Sequence, residues 1–150
     1  MSDAAAKKFT LRNPDWESLV RDILDRQPIV KTLGIEIEEL SPGRCTLAMD
    51  FRPELAQQHG FFQAGVVSIL ADNAGGMAAA SLMPAGADIL AVEFKINFIA
   101  PAKGSRMRAR AEVVKAGRTL TISQITVSMQ DGDREVDCAL MQQTCMAVGG

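Results

Sequence analysis

The stretch that decides the fold is AGVVSILADNAGGMAAASL, residues 64–82. It contains no proline, and its single charged residue is Asp72. As one helix it would run for roughly 28 Å, and the Pro and Gly at positions 84 and 86 mark its end. A helix that is apolar on nearly all sides is buried in a protein core or in a membrane. We expect a core helix, because a charge in the middle of a membrane span is costly.

The sequence on both sides of this helix predicts strands. Before it, residues 35–51 form two alternating runs around a Ser-Pro-Gly turn at 41–43, which predicts a hairpin with one buried face. After it, four apolar or alternating runs predict four more strands, and Asp-Gly-Asp at 131–133 is a hairpin turn. These runs are residues 89–99, 105–115, 118–129 and 135–148. The arrangement is α+β with an antiparallel sheet.

A separate helix is predicted ahead of the first strand. Asn13 is a suitable cap, and Pro14 would then occupy the first helical position. Apolar residues at 16, 19, 20, 23 and 24 follow the spacing of one helical face, and Pro28 predicts an end or a kink. We expect residues 1–12 to be loose and residues 13–150 to form a single domain.

Composition excludes several classes of protein. The net charge of −2 indicates neither a nucleic-acid partner nor an anionic membrane surface. The N-terminus lacks the apolar core of a signal peptide. Cysteines occur only at 45, 138 and 145, without CxxC spacing, so we expect reduced, buried thiols in a cytoplasmic protein. The one histidine, His59, has no sequence link to these cysteines and no second ligand nearby, so neither a catalytic cysteine nor a metal site is expected.

Asp72 is the strongest candidate for chemistry. Its helical neighbours are apolar or small, and an unpaired charge in such surroundings is costly. We therefore expect the carboxylate at a cleft or an interface, where functional carboxylates cluster. The structural alternative is a carboxylate bonded to a backbone group or to a hydroxyl such as that of Ser68.

The loop that enters the helix supplies two further candidates. Gln57 lies fifteen residues before Asp72, and its amide can hold a water molecule or a thioester carbonyl. His59 is either a loop residue that makes a backbone contact or a base.

The start of the helix is a candidate oxyanion site. It begins near Gln63, and the small residues Ala64 and Gly65 leave its first N–H groups open to a ligand. Such N–H groups carry the positive end of the helix dipole and can stabilise a developing oxyanion. The alternative is a plain helix entry with small residues for packing.

Gly117 and Arg118 sit at a predicted turn between two strands, with Lys115 close by. Lys and Arg are frequent from residue 95 to residue 118, which leaves room for a local anion site. A guanidinium suits a phosphate. The alternative is a solvated hairpin tip.

Three ordered segments resemble the PaaI-type hotdog-fold acyl-CoA thioesterases. They are QQHGFFQAGVVSILADNAGG at 57–76, AVEFKINFIAPA at 91–102 and KAGRTL at 115–120, and the resemblance covers residues 34–148. It implies a hotdog fold, in which a curved antiparallel sheet wraps around a long central helix, here with an extra N-terminal helix. It also implies a homodimer, often paired into a dimer of dimers, with two sites at the subunit interface.

The resemblance also implies roles for individual residues. Asp72 would be the catalytic carboxylate, Gln57 its amide partner, and the N–H of Ala64 or Gly65 the oxyanion donor. Substrate contacts are assigned to His59, Gly60, Gln63, Ala91, Gly117 and Arg118, with the last two near the phosphates of CoA. The substrate would be an acyl-CoA, with no metal and no cofactor beyond the CoA it carries, and neither nucleic acid nor membrane as a partner.

Two positions depart from the family pattern. Gln63 stands where the family usually has histidine, and Ala91 stands where many members carry Ser or Thr to orient the attacking water. The alternative function is therefore a non-catalytic acyl-CoA-binding protein, for which both departures would be signs of lost activity. A hotdog-fold hydratase or dehydratase is disfavoured, because that chemistry pairs an acid with a nearby histidine and none follows Asp72.

Overall fold

The computed structural model describes residues 9–149. In this range the chain forms two short helices, a hairpin, a long helix and four more strands. The helices are α1 Trp16–Asp25, α2 Pro28–Leu33 and α3 Ala64–Ala80, with a single 3₁₀ turn at Pro53–Leu55. The strands are β1 Glu36–Ser41, β2 Arg44–Asp50, β3 Asp88–Phe98, β4 Arg106–Ala116, β5 Leu120–Asp131 and β6 Arg134–Val148.

All six strands belong to one antiparallel sheet. Their order is β1-β2-β4-β5-β6-β3, so β1 and β3 are the edges. The long helix α3 packs against β2, β3, β4, β5 and β6. A single helix in contact with five strands requires the sheet to wrap around it, and eleven of the residues of α3 are buried. This is the hotdog architecture that the sequence predicts.

Of the predicted segment 64–82, residues 64–80 form the helix, and nothing within them interrupts it. The helix ends at Ala80, where the Ser81 hydroxyl donates to the carbonyl of Ala78. The same hydroxyl accepts a hydrogen bond from the N–H of Gly43 at 2.8 Å, in the β1–β2 turn. Gly43 has a φ of +77° there, which favours glycine. The end of the helix is thereby tied to the first hairpin, which fixes its position over the sheet.

The N-terminal helix differs from the prediction at both ends. It begins at Trp16 rather than at Pro14, because the Asn13 side chain accepts from the N–H of Asp15 and closes a turn ahead of the helix. Pro28 does end α1, but it also begins α2 as the first helical residue, where its missing N–H costs nothing. The sequence did not predict α2. Its last residue, Leu33, is followed by Gly34, whose backbone has the left-handed conformation that ends the helix.

The predicted loose segment 1–12 lies partly outside the described residues, which begin at position 9. Residues 9–12 form neither helix nor strand. Phe9 packs against the core, and Arg12 Nε donates to the carbonyl of Leu82 at 3.1 Å. Between positions 9 and 149, no helix is both long enough and apolar enough to cross a membrane.

Candidate active site

Asp72 faces a cavity of about 310 Å³ between α3, the end of α1 and the strands β3 and β6. The carboxylate is only partly buried, so it is open to this cavity. Ala91, which the sequence also places at the site, lines the same cavity. The remaining lining residues are Ile23, Arg26, Gln27, Asn73, Gly76, Met77, Asp88, Ile89, Gln143 and Cys145. About half of them are polar, and this gives the cavity a mixed character suited to a carbonyl and a water molecule.

Gln143 on β6 is the hydrogen-bond partner of Asp72. Its Nε2 lies 2.5 Å from Oδ1 of Asp72 and 3.2 Å from the backbone oxygen of the same residue. The structural alternative involving Ser68 is not realised, because the Ser68 hydroxyl donates to the carbonyl of Ala64 at 2.9 Å. Among the described residues, only this amide donates to the Asp72 carboxylate, and its second oxygen stays available to the cavity.

The electrostatics favour a carboxylate that accepts protons readily. Burial raises the pKa of Asp72 above its ordinary value, and the hydrogen bond from Gln143 offsets part of that increase. The Cys145 thiol is close enough for the Asp72 charge to act on it: burial first, and then that charge, raise the pKa of Cys145 to about 12. A thiol with this pKa is protonated at neutral pH, so Cys145 does not supply an ionised nucleophile beside Asp72.

The loop candidates form a tight turn. The Oε1 atom of Gln57 accepts from the N–H of His59 at 2.5 Å and from that of Phe61 at 3.4 Å. Gly60 closes the turn with a φ of +80°. The side chain of Gln57 therefore uses its oxygen internally and has its NH₂ group left to offer a ligand. His59 is exposed and contributes a backbone contact here.

At the start of α3, Gln63 occupies the capping position. Its Oε1 accepts from the N–H groups of Gly65, at 2.5 Å, and of Val66, at 3.3 Å. Ala64 is the first helical residue, and its N–H finds no acceptor among residues 9–149. Of the two predicted oxyanion donors, Ala64 is therefore open and Gly65 is engaged.

One chain does not bring the whole predicted site together. Asp72 lies eight residues beyond Ala64, which places it roughly 12 Å further along the helix axis. Neither Ala64 nor Gln57 lines the Asp72 cavity. The described residues thus hold two half-sites: the carboxylate with Ala91 and Gln143, and the helix start with the Gln57 turn.

Gly117 and Arg118 lie at the β4–β5 turn and line a separate surface cavity of about 380 Å³ together with Phe9 and Arg12. Arg118 is exposed and makes no ion pair with any residue between 9 and 149. The arginines of β4 differ, because they form ion pairs with carboxylates of β1, β2 and β6. These pairs are Arg106 with Glu36, Glu38 and Asp50, Arg108 with Glu38, and Arg110 with Glu135. The arginine that is free to bind an anion in this basic segment is therefore Arg118 at the turn, and not one of the arginines on β4.

Sequence reasoning missed Gln143. On β6 the inward positions are Ala139, Met141, Gln143 and Cys145, and all are buried. A glutamine in an otherwise apolar inward row was the available signal, because buried polar groups require a partner. The described residues contain no group of three or more His, Cys, Asp or Glu side chains arranged to hold a metal ion.

Comparison with known proteins places this geometry in a family. Residues 59–136 match the model of the thioesterase superfamily. A thioesterase family protein from Silicibacter pomeroyi is 48% identical, with a TM-score of 0.89 over 90% of this chain and 99% of that one. The E. coli PaaI protein from the phenylacetic acid degradation operon shares the fold, with a TM-score of 0.82 at 21% identity over 93% of this chain and 97% of that one.

A curated relative carries a specific activity in its name. The 1,4-dihydroxy-2-naphthoyl-CoA hydrolase of Listeria monocytogenes is 24% identical over 65% of this chain and 80% of its own length. The matching family model covers the segment that contains the helix start, Asp72 and Ala91, so it includes part of each half-site. The chain has the hotdog fold that PaaI also has, belongs to the thioesterase superfamily and is a thioester hydrolase.

Proposed function

We propose that the chain hydrolyses an acyl-CoA thioester to a free acid and CoA, with Asp72 as the reacting carboxylate. The observation that carries this proposal is the position of Asp72: a partly buried carboxylate, open to a cavity and held by one amide donor. The relative from Listeria is named for hydrolysis of a CoA thioester, which supports CoA as the thiol. The exposed, unpaired Arg118 suits one of the phosphates of CoA.

As general base, Asp72 takes a proton from a water molecule whose oxygen attacks the thioester carbon. The C–S bond then breaks, and the CoA thiolate recovers that proton from Asp72. As nucleophile, the carboxylate attacks the thioester carbon itself, and the C–S bond breaks to expel CoA as a thiolate. Water then hydrolyses the resulting anhydride and regenerates Asp72, and the proton released in that step goes to the thiolate. The raised pKa suits the first route, since a base works best with a pKa nearer the working pH. Ala91 offers no hydroxyl, so positioning the water falls to Asp72 and Gln57.

The carbonyl oxygen would accept a hydrogen bond from the N–H of Ala64, which has no acceptor among the described residues. Because Ala64 lies roughly 12 Å along the helix from Asp72, we propose that the helix start comes from a second copy of the chain. A dimer would then contain two equivalent sites, each with the Asp72 cavity of one subunit and the Gln57 turn and Ala64 of its partner.

The edge strand β3 supports this assembly. Within residues 9–149 it pairs only with β6, so its other edge has no strand partner in that part of the chain. Large apolar side chains along it are exposed, namely Leu90 and Val92 at 54%, Phe98 at 50% and Phe94 at 44%. Ala91 lies among them and lines the Asp72 cavity, so a second copy paired along β3 would arrive beside that cavity.

The decisive test measures CoA release from a panel of acyl-CoAs that differ in chain length and in aryl groups. Asp72→Asn should lower kcat by at least ~10²-fold, because it removes a general base or nucleophile while keeping the shape of the side chain. Asp137→Asn, an exposed carboxylate on β6, is the matched control. An unchanged kcat for Asp72→Asn would remove Asp72 from the chemistry, and binding of acyl-CoA without turnover by the wild type would favour the non-catalytic alternative.

A further inference from the structure

Gln143 makes two hydrogen bonds to one residue. Its Nε2 donates to the side-chain Oδ1 of Asp72 at 2.5 Å and to the backbone oxygen of Asp72 at 3.2 Å. Gln143 itself is 1% exposed, so its amide is fixed by packing between α3 and the sheet. The pair of contacts restrains the rotation of the carboxylate and leaves Oδ2 without a hydrogen-bond donor among residues 9–149.

Gly75 provides the space for this amide. A Cβ atom at position 75 would lie 2.1 Å from Oε1 of Gln143 and 2.9 Å from Cδ1 of Ile125. Any side chain there would expel the amide from its observed position. The next residue, Gly76, differs, because a Cβ atom there would meet nothing within 4 Å. A glycine within a helix is unfavourable, and at position 75 it is compensated by room for Gln143.

The amide of Gln143 is poorly explained as a stabilising feature. Its Oε1 is buried and has no hydrogen-bond partner among the described residues. A buried acceptor without a partner is destabilising, whereas an apolar side chain of similar size at this position would avoid that cost. The benefit of a glutamine must therefore lie at its other end, in the two bonds to Asp72.

We propose that Gln143 is a positioning residue for thioester hydrolysis, which holds Asp72 ionised and oriented toward the cavity, and that Gly75 is the helix position that admits it. The proposal rests on the proposed role of Asp72. An N–H donor stabilises a carboxylate relative to the protonated acid, so loss of the amide makes Asp72 a weaker acid. The other charged or titratable groups that line this cavity are Arg26 from α1, Asp88 from β3 and Cys145 from β6.

The test compares Gln143→Met with Gln142→Met through pH profiles of kcat/KM. Gln142 is the residue directly before Gln143 on β6 and is exposed on the opposite face of the strand. Gln143→Met should lower kcat/KM about tenfold at pH 7, the loss expected from one charge-assisted hydrogen bond. The acidic limb should move to higher pH and activity should recover as pH rises, with kcat affected more than KM. Gln142→Met should keep the wild-type profile.

Two further variants keep the proposal falsifiable if Gln143→Met fails to fold. Gln143→Glu preserves the shape, and the second carboxylate should move the acidic limb upward through repulsion. Gly75→Ala should cause the same direction of shift by displacing the amide. Gly76→Ala is a control for thermal unfolding only, because it adds the same methyl group to the helix without a clash but at a position that lines the Asp72 cavity.

The outcomes separate this inference from the proposed function. If Asp72→Asn is inactive while every folded Gln143 variant keeps the wild-type profile and loses only thermal stability, the positioning role is overturned and the proposed function stands. If Asp72→Asn retains full activity, the proposed function itself fails. If Gln143→Met shifts the acidic limb in the wild type but has no further effect in the Asp72→Asn background, the positioning role is supported.

Discussion

The side-chain oxygen of Gln63 accepts a hydrogen bond from the backbone N–H of Gly65, two residues further along the chain. At the position where the resemblance leads one to expect a histidine, the chain therefore carries a residue that caps its own helix. The cap occupies Gly65 and leaves the N–H of Ala64 without an acceptor among residues 9–149. Of the two N–H groups predicted as oxyanion donors, the first helical one is therefore the one that is open to a ligand.

Replacing Ala64 by proline tests whether the backbone N–H of residue 64 is the oxyanion donor. Proline is well tolerated as the first helical residue, and Gln63 before it already has the extended conformation that proline requires, with φ −67° and ψ 141°. The substitution removes the N–H, which has no acceptor among the described residues, and puts the ring Cδ on that nitrogen in its place. We expect kcat to fall ~10²–10³-fold while thermal unfolding stays close to that of the wild type.

Ala64→Gly is the companion variant, because it retains the N–H and should lose far less activity than Ala64→Pro. If the proline variant folds and turns over substrate at the wild-type rate, the donor lies elsewhere. Gln63→Ala would then be the next variant to examine, since it frees the N–H of Gly65.

The burial of Asp72 also predicts a dependence of stability on pH. Its pKa is raised on folding, chiefly by desolvation, so the folded state binds this proton more tightly than the unfolded chain does. Ionisation consequently destabilises the folded state, and the cost is complete above the folded pKa and absent below the unfolded value of 3.8. Asp72→Asn removes the charge and keeps an oxygen for Gln143 to bind.

We therefore expect Asp72→Asn to unfold at a temperature about 2–4 °C above the wild type at pH 8. The difference should shrink as pH falls through the folded pKa. Scanning calorimetry at several pH values measures it, with Asp137→Asn as the reference for loss of an exposed charge. An Asp72→Asn protein less stable than the wild type at pH 8 would mean that the carboxylate stabilises the fold.

Much of this fold is readable from the sequence because its signals are local. The 64–82 segment has nothing to interrupt a helix, and the alternation of the later strands gives both their positions and their buried face. Pro28 shows the limit: proline ends one helix and begins the next with the same chemistry, and only tertiary contacts decide whether a six-residue helix follows. The predicted hotdog architecture is confirmed.

The candidate site was less predictable because it depends on register. Asp72 and Gln143 lie 71 positions apart, and they meet only because β6 presents Gln143 opposite α3 at the level of Gly75. No periodicity specifies that alignment. The roles assigned to Gln57, Ala64, Gly117 and Arg118 remain predictions, because their partners lie on a substrate and on a second chain.

The cysteines are expected to be chemically inert in the folded protein. Each is 1% exposed, and burial raises the pKa of Cys45 and Cys145 to about 12 and that of Cys138 to about 11. At pH 8 the thiolate fraction of a group with a pKa of 12 is about 10³-fold below that of an ordinary cysteine, and the thiolate is the reactive form. A disulfide reagent should therefore modify native protein extremely slowly and react with all thiols in denaturant. Rapid labelling that also abolishes activity would instead place a reactive cysteine at the site.

If two subunits pair along the outer edge of β3, a substitution that blocks this pairing should abolish both the dimer and the activity. Val92 is 54% exposed in the strand that ends the sheet, and a charge there should oppose pairing with a second copy, as charged residues do on natural edge strands. We expect Val92→Lys to sediment as a monomer with an intact fold, and to lose at least ~10²-fold in kcat/KM, because the carboxylate would no longer meet the oxyanion donor of a partner. Leu140→Lys, at 46% exposure on β6, is the matched control and should keep both the subunit pair and the activity.

Dimers that contain one subunit of each of two inactive variants test whether a site is shared between subunits. Asp72→Asn lacks the carboxylate and Ala64→Pro lacks the donor, so each homodimer should be nearly inactive. In a mixed dimer the Asp72 of one chain and the Ala64 of the other belong to one intact site, so purified mixed dimers should have about half of the wild-type activity. Random co-expression makes about half of the dimers mixed, so the whole preparation should recover about a quarter. No recovery from mixed dimers of confirmed composition would mean that each site is built within a single chain.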